Sequence, residues 1–354
     1  MVRICRFKAV VVLMLVAGAS SPARGWQSAA NPAQVEAPSG IVESVAQLRQ
    51  LIDRGHPAEA LLRLDQLKLQ RPTPPGVDRL RGVALYAQNR FAEADAAFGA
   101  AIKADPHDEE AMQMRGLTLF RLGKPDEAIP LFEAAHSWNP QTKYDPNYVL
   151  ALCYSDTHRY DDARHAFAAQ YGFAPDSASA YLLAARLFFR RGYLSTAQDY
   201  AAKALELDPQ LPLAHGLLGE IALAGEHLDV AIAEFEKERA RNPLEGGIYD
   251  RLGDAYTRSG DYIKAERALQ QALLLEPNAT GPYILLGKVL LRQKDPVSAA
   301  MYLERAEKMD PGNTMTHSLL GQSYRAMGRA EDASREMQIV QKLSTKEAQS
   351  EPSH

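Results

Sequence analysis

Prolines recur along this chain at an almost constant interval, and this period constrains the fold more than any other feature of the sequence. Neighbouring members lie 34 residues apart, except for one gap of 35 residues, in the series Pro72, Pro106, Pro140, Pro175, Pro209, Pro243, Pro277 and Pro311. An alanine stands twelve residues before each proline, from Ala60 to Ala299, and Ala333 continues the alanine series. A fixed period of this kind predicts a repeat architecture, in which each unit packs only against its neighbours. Length alone would have suggested two compact domains.

Each unit holds two stretches whose apolar residues lie three and four positions apart, the spacing of one face of a helix. A small residue recurs twelve residues before most of the alanines, in the column Gly82, Gly116, Ala151, Ala185, Gly219, Gly253, Gly287 and Gly321. Because glycine in a helix interior costs about 1 kcal/mol relative to alanine, this column predicts close helix packing. The prolines end the second helix of each unit, since proline lacks an N–H and disfavours helical geometry in the preceding residue.

This pattern resembles the tetratricopeptide repeat family, whose unit is a helix–turn–helix of about 34 residues with small, aromatic and proline positions. The resemblance covers residues 41–343 and implies an all-α, right-handed superhelical solenoid. It gives about nine units, which begin near Ile41, Pro75, Glu109, Tyr144, Ala178, Pro212, Gly246, Thr280 and Thr314. The chain departs from the family at Leu48, which replaces the first glycine. The family's tryptophan position holds other residues, namely Asp78, Met112, Asn147, Tyr181, His215, Tyr249, Tyr283 and His317.

The N-terminus has the three-part order of a secretory signal peptide. Arg3, Arg6 and Lys8 precede an uncharged run over residues 9–19, and Ala23-Arg24-Gly25 offers a cleavage site. The run is too short for a spanning helix, which needs about 20 apolar residues. We predict that residues 1–25 are a signal peptide, that 26–40 are a flexible linker and that 344–354 are a polar tail. A periplasmic or secreted protein without a stable membrane span follows.

Composition excludes several classes of protein. The net charge of −4 and the pI near 6.2 argue against nucleic acid as a partner, because nucleic-acid-binding domains are usually basic. Cys5 lies in the predicted signal, so Cys153 would remain alone and form no internal disulfide. The sequence has neither a Gly-rich phosphate loop nor an H-E-x-x-H helix, and the repeats leave no room for a catalytic domain. We predict a non-enzymatic chain without a cofactor.

The repeat pattern also predicts a binding surface. In the family, the first helices of successive units line a concave groove, and the residues that flank the glycine column point into it. In the middle and C-terminal units these are Arg186, Phe189, Arg190, Glu220, Asp250, Asp254, Arg258, Lys288, Arg292, Gln322 and Arg325. In the N-terminal units they are Arg79, Val83, Tyr86, Gln113, Leu117, Phe120, Tyr148 and Leu152. The groove is therefore expected to be apolar at one end and basic at the other.

We predict a protein or peptide partner, held at Arg186, Arg190, Asp250, Asp254, Arg258, Lys288, Arg292 and Arg325. Arginine can hold a carboxylate with two parallel hydrogen bonds, which favours an acidic segment. Solvation of exposed helices explains the same charges without any ligand. Two other functions remain open, a self-associating structural solenoid and a regulatory subunit of a separate catalytic chain. His158 and His165 could bracket a metal ion with Asp161 or Asp162, but His158 falls in a turn, where polar residues are ordinary, and we predict no metal site.

Overall fold

The computed structural model describes residues 39–138 and 146–350, and all regular secondary structure within these ranges is α-helical. The helices are α1 (Ser39–Asp53), α2 (Pro57–Lys68), α3 (Val77–Ala87), α4 (Phe91–Ala104), α5 (Glu109–Arg121), α6 (Pro125–Trp138), α7 (Asn147–Asp156), α8 (Tyr160–Tyr171), α9 (Ala178–Arg190), α10 (Leu194–Leu207), α11 (Ala214–Ala224), α12 (Leu228–Arg241), α13 (Gly246–Ser259), α14 (Tyr262–Leu275), α15 (Thr280–Arg292), α16 (Pro296–Met309), α17 (Thr314–Ala326) and α18 (Ala330–Ser350). The predicted all-α helical solenoid of tetratricopeptide-type repeats is confirmed.

The helices form two layers. Each odd-numbered helix packs against the even-numbered helix that follows it, and each even-numbered helix packs against the next odd-numbered one. Successive odd-numbered helices also touch each other, as in α9 with α11, α11 with α13, α13 with α15 and α15 with α17. Among the described residues, no two even-numbered helices make contacts of similar extent. The odd-numbered helices therefore form the inner layer, because helices on the inside of a curved array lie closer together.

The glycine column lies where the two helices of a unit approach each other. A Cβ atom added to Gly253 would lie 2.4 Å from Leu269 Cδ2, and one added to Gly219 would lie 2.5 Å from Phe235. Both neighbours are fully buried. The same contact joins Gly82 to Phe98, Gly116 to Phe132 and Gly287 to Leu303. The close packing predicted from the glycines is confirmed, and its partner is the bulky residue sixteen positions later.

A second contact joins neighbouring units. The hydroxyl of Tyr256 on α13 donates to Glu236 Oε1 on α12, and that of Tyr324 on α17 donates to Glu304 Oε1 on α16, each at 3.0 Å. Burial, followed by these hydrogen bonds, raises the pKa of each phenol to about 12. Tyr154 donates to Glu133 in the same way. These tyrosines connect one unit to the next as neutral donors at physiological pH.

The structure extends the helical region beyond its predicted C-terminal end. Helix α18 continues to Ser350, so residues 344–350 are helical although we predicted a polar tail from residue 344. The predicted signal peptide, most of the linker and residues 351–354 lie outside the described residues.

Cys153 is fully buried, and burial raises the pKa of its thiol to about 12, which fits a small core residue. Within the described part of the chain, no helix is long and apolar enough to cross a membrane.

Candidate functional site

All eight predicted binding residues lie on odd-numbered helices. Arg186 and Arg190 belong to α9, and Arg325 belongs to α17. Helix α13 carries Asp250, Asp254 and Arg258, and α15 carries Lys288 and Arg292. Because the spacing between equivalent residues is one repeat, residues at the same position of successive units face the same side of the array. The structure therefore places these eight residues along the inner layer.

Most of the inner-face cations have no acidic partner. Arg258 pairs with Asp254 on its own helix, with Nη2 2.8 Å from Oδ2. Five other cations form no ion pair with any described residue, namely Arg186, Arg190, Lys288, Arg292 and Arg325. Arginines at the turns between helices behave differently, since Arg90 pairs with Glu93 and Arg329 pairs with Asp332. The inner face thus carries a surplus of positive charge.

A cavity of about 250 Å³ opens on this face between α9, α11 and α13. Phe189, Leu223 and Ala224 supply its apolar surface, and Glu220, Arg251 and Arg258 supply its charges. Phe189 and Leu223 are half-buried, so their rings and methyl groups remain within reach of a ligand. The cavity suits an apolar side chain of a ligand, which would lie between Glu220, Arg251 and Arg258.

Sequence reasoning missed Arg251, which lies in this cavity. It forms an ion pair with Glu220 on the neighbouring helix α11, with Nη2 2.6 Å from Oε1. A signal was present, because Arg251 replaces an apolar residue that the other units from the second onward keep at this position. That column reads Leu80, Met114, Val149, Leu183, Leu217, Leu285 and Leu319. This single charge in an apolar column distinguishes α13 from the equivalent helices of the other units.

Asp250, beside Arg251, is the least satisfied carboxylate of the face. It is half-buried, and its Oδ1 atom has no hydrogen-bond partner among the described residues. Burial raises the pKa of Asp250 above its ordinary value; Arg251 opposes this shift, and Asp254 and Glu276 add to it. Gly281, on α15, lies beside the carboxylate, since a Cβ there would be in van der Waals contact with Oδ2 at 3.7 Å. Asp250 therefore adds negative charge to this part of the face, and its Oδ1 atom is buried without a hydrogen bond to the described residues.

We expect Asp250→Asn to raise the thermal unfolding midpoint at pH 7, because the amide removes a poorly solvated charge. Folding raises the pKa of the Asp250 carboxyl, so its negative charge destabilises the folded state. The full cost applies at pH values above the pKa in the folded state, and no cost remains at pH values below the ordinary value of 3.8. The gain should therefore shrink as the pH falls toward 3.8. Asp199→Asn, at an exposed position of α10, is the matched control and should change little. A variant no more stable than wild type at pH 7 contradicts this expectation.

The N-terminal half of the inner face is more charged than predicted. Its apolar residues are present: Leu152 is buried, Tyr86 and Phe120 are half-buried, and Tyr148 is exposed. Arg79 on α3 pairs with Asp108 and with Glu110 on α5, at 3.1 and 3.2 Å. Arg49 on α1 pairs with the same glutamate. The cations here are neutralised by ion pairs that connect three units, unlike those of α9, α15 and α17.

The turn between α7 and α8 brings no metal ligands together. His158 has a positive φ of 59°, as the residue at this position of the turn also has in the other units. Its Nδ1 lies 2.8 Å from the Tyr160 hydroxyl. His165 is exposed and lies against Arg164, with Nε2 3.1 Å from Nη2. Both rings have protein partners, and the turn geometry accounts for His158.

Comparison with known proteins agrees with this architecture. Models of the tetratricopeptide repeat match residues 79–141 and 251–314, residues 119–187 and residues 178–211, which together make up more than half of the chain. Superkiller protein 3 of Schizosaccharomyces pombe is 26% identical over 150 residues, which are 38% of this chain. The match spans only 10% of that protein.

Solved structures are similar to parts of this chain. The crystal structure of MamA is similar over 51% of this chain and 99% of its own, with 20% identity and a TM-score of 0.46. YrrB, described as a TPR protein with an unusual peptide-binding site, is similar over 48% of this chain and 87% of its own, with 23% identity and a TM-score of 0.43. With the repeat columns, the two helical layers and the family matches in agreement, the chain belongs to the tetratricopeptide repeat family.

Proposed function

We propose that this chain is a non-enzymatic scaffold that holds a protein or peptide partner against the inner face of α9 to α17. Its fold is a repeat scaffold of the kind that supports protein–protein interaction. The observation that carries the proposal is the set of five inner-face cations without an acidic partner among the described residues. Among the described residues, unpaired cations also occur on the outer layer, at Arg267 and Arg305, so the support lies in the grouping of these five cations along one inner face.

The partner is an acidic segment with an apolar side chain. Carboxylates of the segment bind the free cations of α9 and α15, and arginine offers them two parallel hydrogen bonds. The apolar side chain enters the cavity lined by Phe189, Leu223 and Ala224. Asp250 and Glu220 make the face selective, because they repel acids that arrive in the wrong register. These charges set register and association rate more than affinity.

The spacing of the helices fixes the spacing of this motif. Packed helices lie roughly 8–10 Å apart, and an extended peptide advances about 3.3 Å per residue. One repeat along the groove therefore corresponds to about three residues of the partner. The apolar residue of the peptide lies at α11, in the middle of the cavity. We expect one acidic residue about three positions from it, at α9. We expect a second acidic residue about six positions from it in the opposite direction, at α15.

A random peptide library displayed on phage tests this function even while the natural partner is unidentified. The purified chain is the bait, and the Arg190→Glu/Arg292→Glu variant is used for counter-selection. We expect the enriched peptides to be acidic, with an apolar residue at the spacing given above. Enrichment of neutral or basic peptides, or no enrichment after counter-selection, contradicts the proposal.

We also propose that the chain acts in the cell envelope or outside the cell. The support is the order of residues 1–25, with a basic start, an uncharged run and small residues before Trp26. Mass spectrometry of the protein from its native cells should find a mature N-terminus at Trp26 in the envelope or extracellular fraction. A cytosolic chain that still begins at Met1 contradicts this proposal.

A further inference from the structure

Three potential metal ligands converge at the C-terminal end of the solenoid. Glu307 of α16, His317 of α17 and Glu336 of α18 each present one ligand atom, and these atoms all lie within 4.8 Å of one another. His317 is 2% exposed and Glu336 is 6% exposed, whereas Glu307 is half-buried. The cluster therefore lies mainly inside the protein and has access to solvent on the side of Glu307.

The hydrogen bonds of His317 determine which ring nitrogen is free. Its Nε2 lies 3.0 Å from the carbonyl oxygen of Pro311, which can only accept, so Nε2 carries a hydrogen. In the neutral ring, Nδ1 then has a lone pair, and it faces Glu336 Oε2 at 2.7 Å. Two acceptors this close require either a proton or a metal ion between them. A histidine whose second nitrogen donates to a backbone carbonyl is also the usual arrangement of a metal-bound histidine.

An equivalent histidine–glutamate pair elsewhere in the chain has a lysine beside the glutamate. His215 and Glu234 occupy the same repeat positions three units earlier, with Nδ1 2.6 Å from Oε2. There Lys237 pairs with the glutamate at 2.6 Å. The residue that corresponds to Glu307 is Leu205, and the residue that corresponds to Lys237 in the last unit is Ile339. Compared with the pair at His215, the pair at His317 has a nearby carboxylate from the preceding unit and lacks the lysine.

We propose that Glu307, His317 and Glu336 bind a divalent transition-metal ion, with Zn²⁺ as the best match to one imidazole and two carboxylates. Zinc accepts nitrogen and oxygen ligands at about 2.0–2.2 Å and is commonly four-coordinate. Three protein ligands leave the fourth position to water. Such an ion requires His317 and Glu336 to separate slightly and Glu307 to approach. It joins three helices, α16, α17 and α18.

The sequence did not predict this site because its ligands are distant along the chain. His317 lies ten residues after Glu307 and nineteen before Glu336, on three different helices. This spacing matches no local metal motif. Only the packing of α16, α17 and α18 brings the side chains together.

Calorimetric titration of Zn²⁺ into the EDTA-treated and dialysed chain tests the proposal, with Glu307→Gln and Glu234→Gln as the matched variants. We expect one saturable Zn²⁺ site in the wild type and in Glu234→Gln. Affinity should be about tenfold or more lower in Glu307→Gln, since even outer ligand partners contribute this much. Zn²⁺ should also raise the unfolding midpoint of the wild type, because a ligand that binds only the native state stabilises it.

Glu307 is half-buried, so its replacement is expected to leave the fold intact, and circular dichroism checks this. If the wild type binds no Zn²⁺ saturably, a proton rather than a metal joins His317 to Glu336 and the proposal fails. It also fails if Glu307→Gln binds Zn²⁺ as tightly as the wild type, or if Glu234→Gln loses the site instead.

Discussion

Gly253→Leu should destabilise the array strongly, by about 1–3 kcal/mol or more. Even the Cβ atom of a new side chain would lie 2.4 Å from Leu269 Cδ2 and 2.5 Å from Leu269 Cγ. Leu269 is fully buried, so it has no free space into which it can move. Thermal and urea unfolding measure the loss. Hydrogen exchange should place it in α13, α14 and their direct neighbours, because repeat arrays transmit instability through nearest-neighbour contacts.

Gly281→Ala is the matched control for this substitution. Gly281 also lies in an odd-numbered helix, but its nearest neighbours would be 3.7 Å or more from an added Cβ. Gly281 is the second residue of α15, where glycine costs less than in the middle of a helix, so this variant should be about as stable as the wild type. If Gly253→Leu melts like the wild type, the packing assigned to the glycine column is wrong.

Arg190→Glu/Arg292→Glu should weaken the binding of the selected acidic peptide by at least about tenfold, which corresponds to roughly 1.4 kcal/mol. The substitutions replace two unpaired cations of the inner face with charges that repel the ligand. Fluorescence anisotropy of a labelled peptide measures the affinity. The wild-type affinity should fall with added salt, because exposed charges are screened over about 10 Å at 0.1 M ionic strength. The variant should show a weaker dependence.

The control for this experiment carries the same charge change on the outer layer. Arg267 on α14 and Arg305 on α16 are exposed and form no ion pair with the described residues. Arg267→Glu/Arg305→Glu should bind the peptide nearly as the wild type does, apart from a small effect of net charge. Equal losses in both double variants would mean that net charge, and not the inner face, determines binding.

The sequence predicted the fold well because each unit repeats the same local information. The glycine and proline columns place two helices and one close contact in most units, and repetition makes each position visible several times. The exact C-terminal end was less predictable, since residues 344–350 are polar and yet continue α18. A polar surface alone does not end a helix when no proline or glycine interrupts it before Pro352.

The site was only partly predictable. Repeat position was enough to place Arg190 and Arg292 on the inner layer, because one period returns to the same face. Whether a cation is free depends on side chains in the neighbouring units, as the pairs Arg79 with Glu110 and Arg251 with Glu220 show. The cluster around His317 depends in the same way on the packing of three helices.

The most direct measurement of the proposed function is a photo-cross-link from the selected peptide. The apolar residue of the peptide is replaced with a photoreactive leucine analogue, and mass spectrometry locates the cross-linked residue in the chain. We predict cross-links in α9, α11 and α13, at or beside Phe189 and Leu223, and their loss in Arg190→Glu/Arg292→Glu. Cross-links confined to α3, α5 and α7, or to the even-numbered helices, would contradict binding at this part of the inner face.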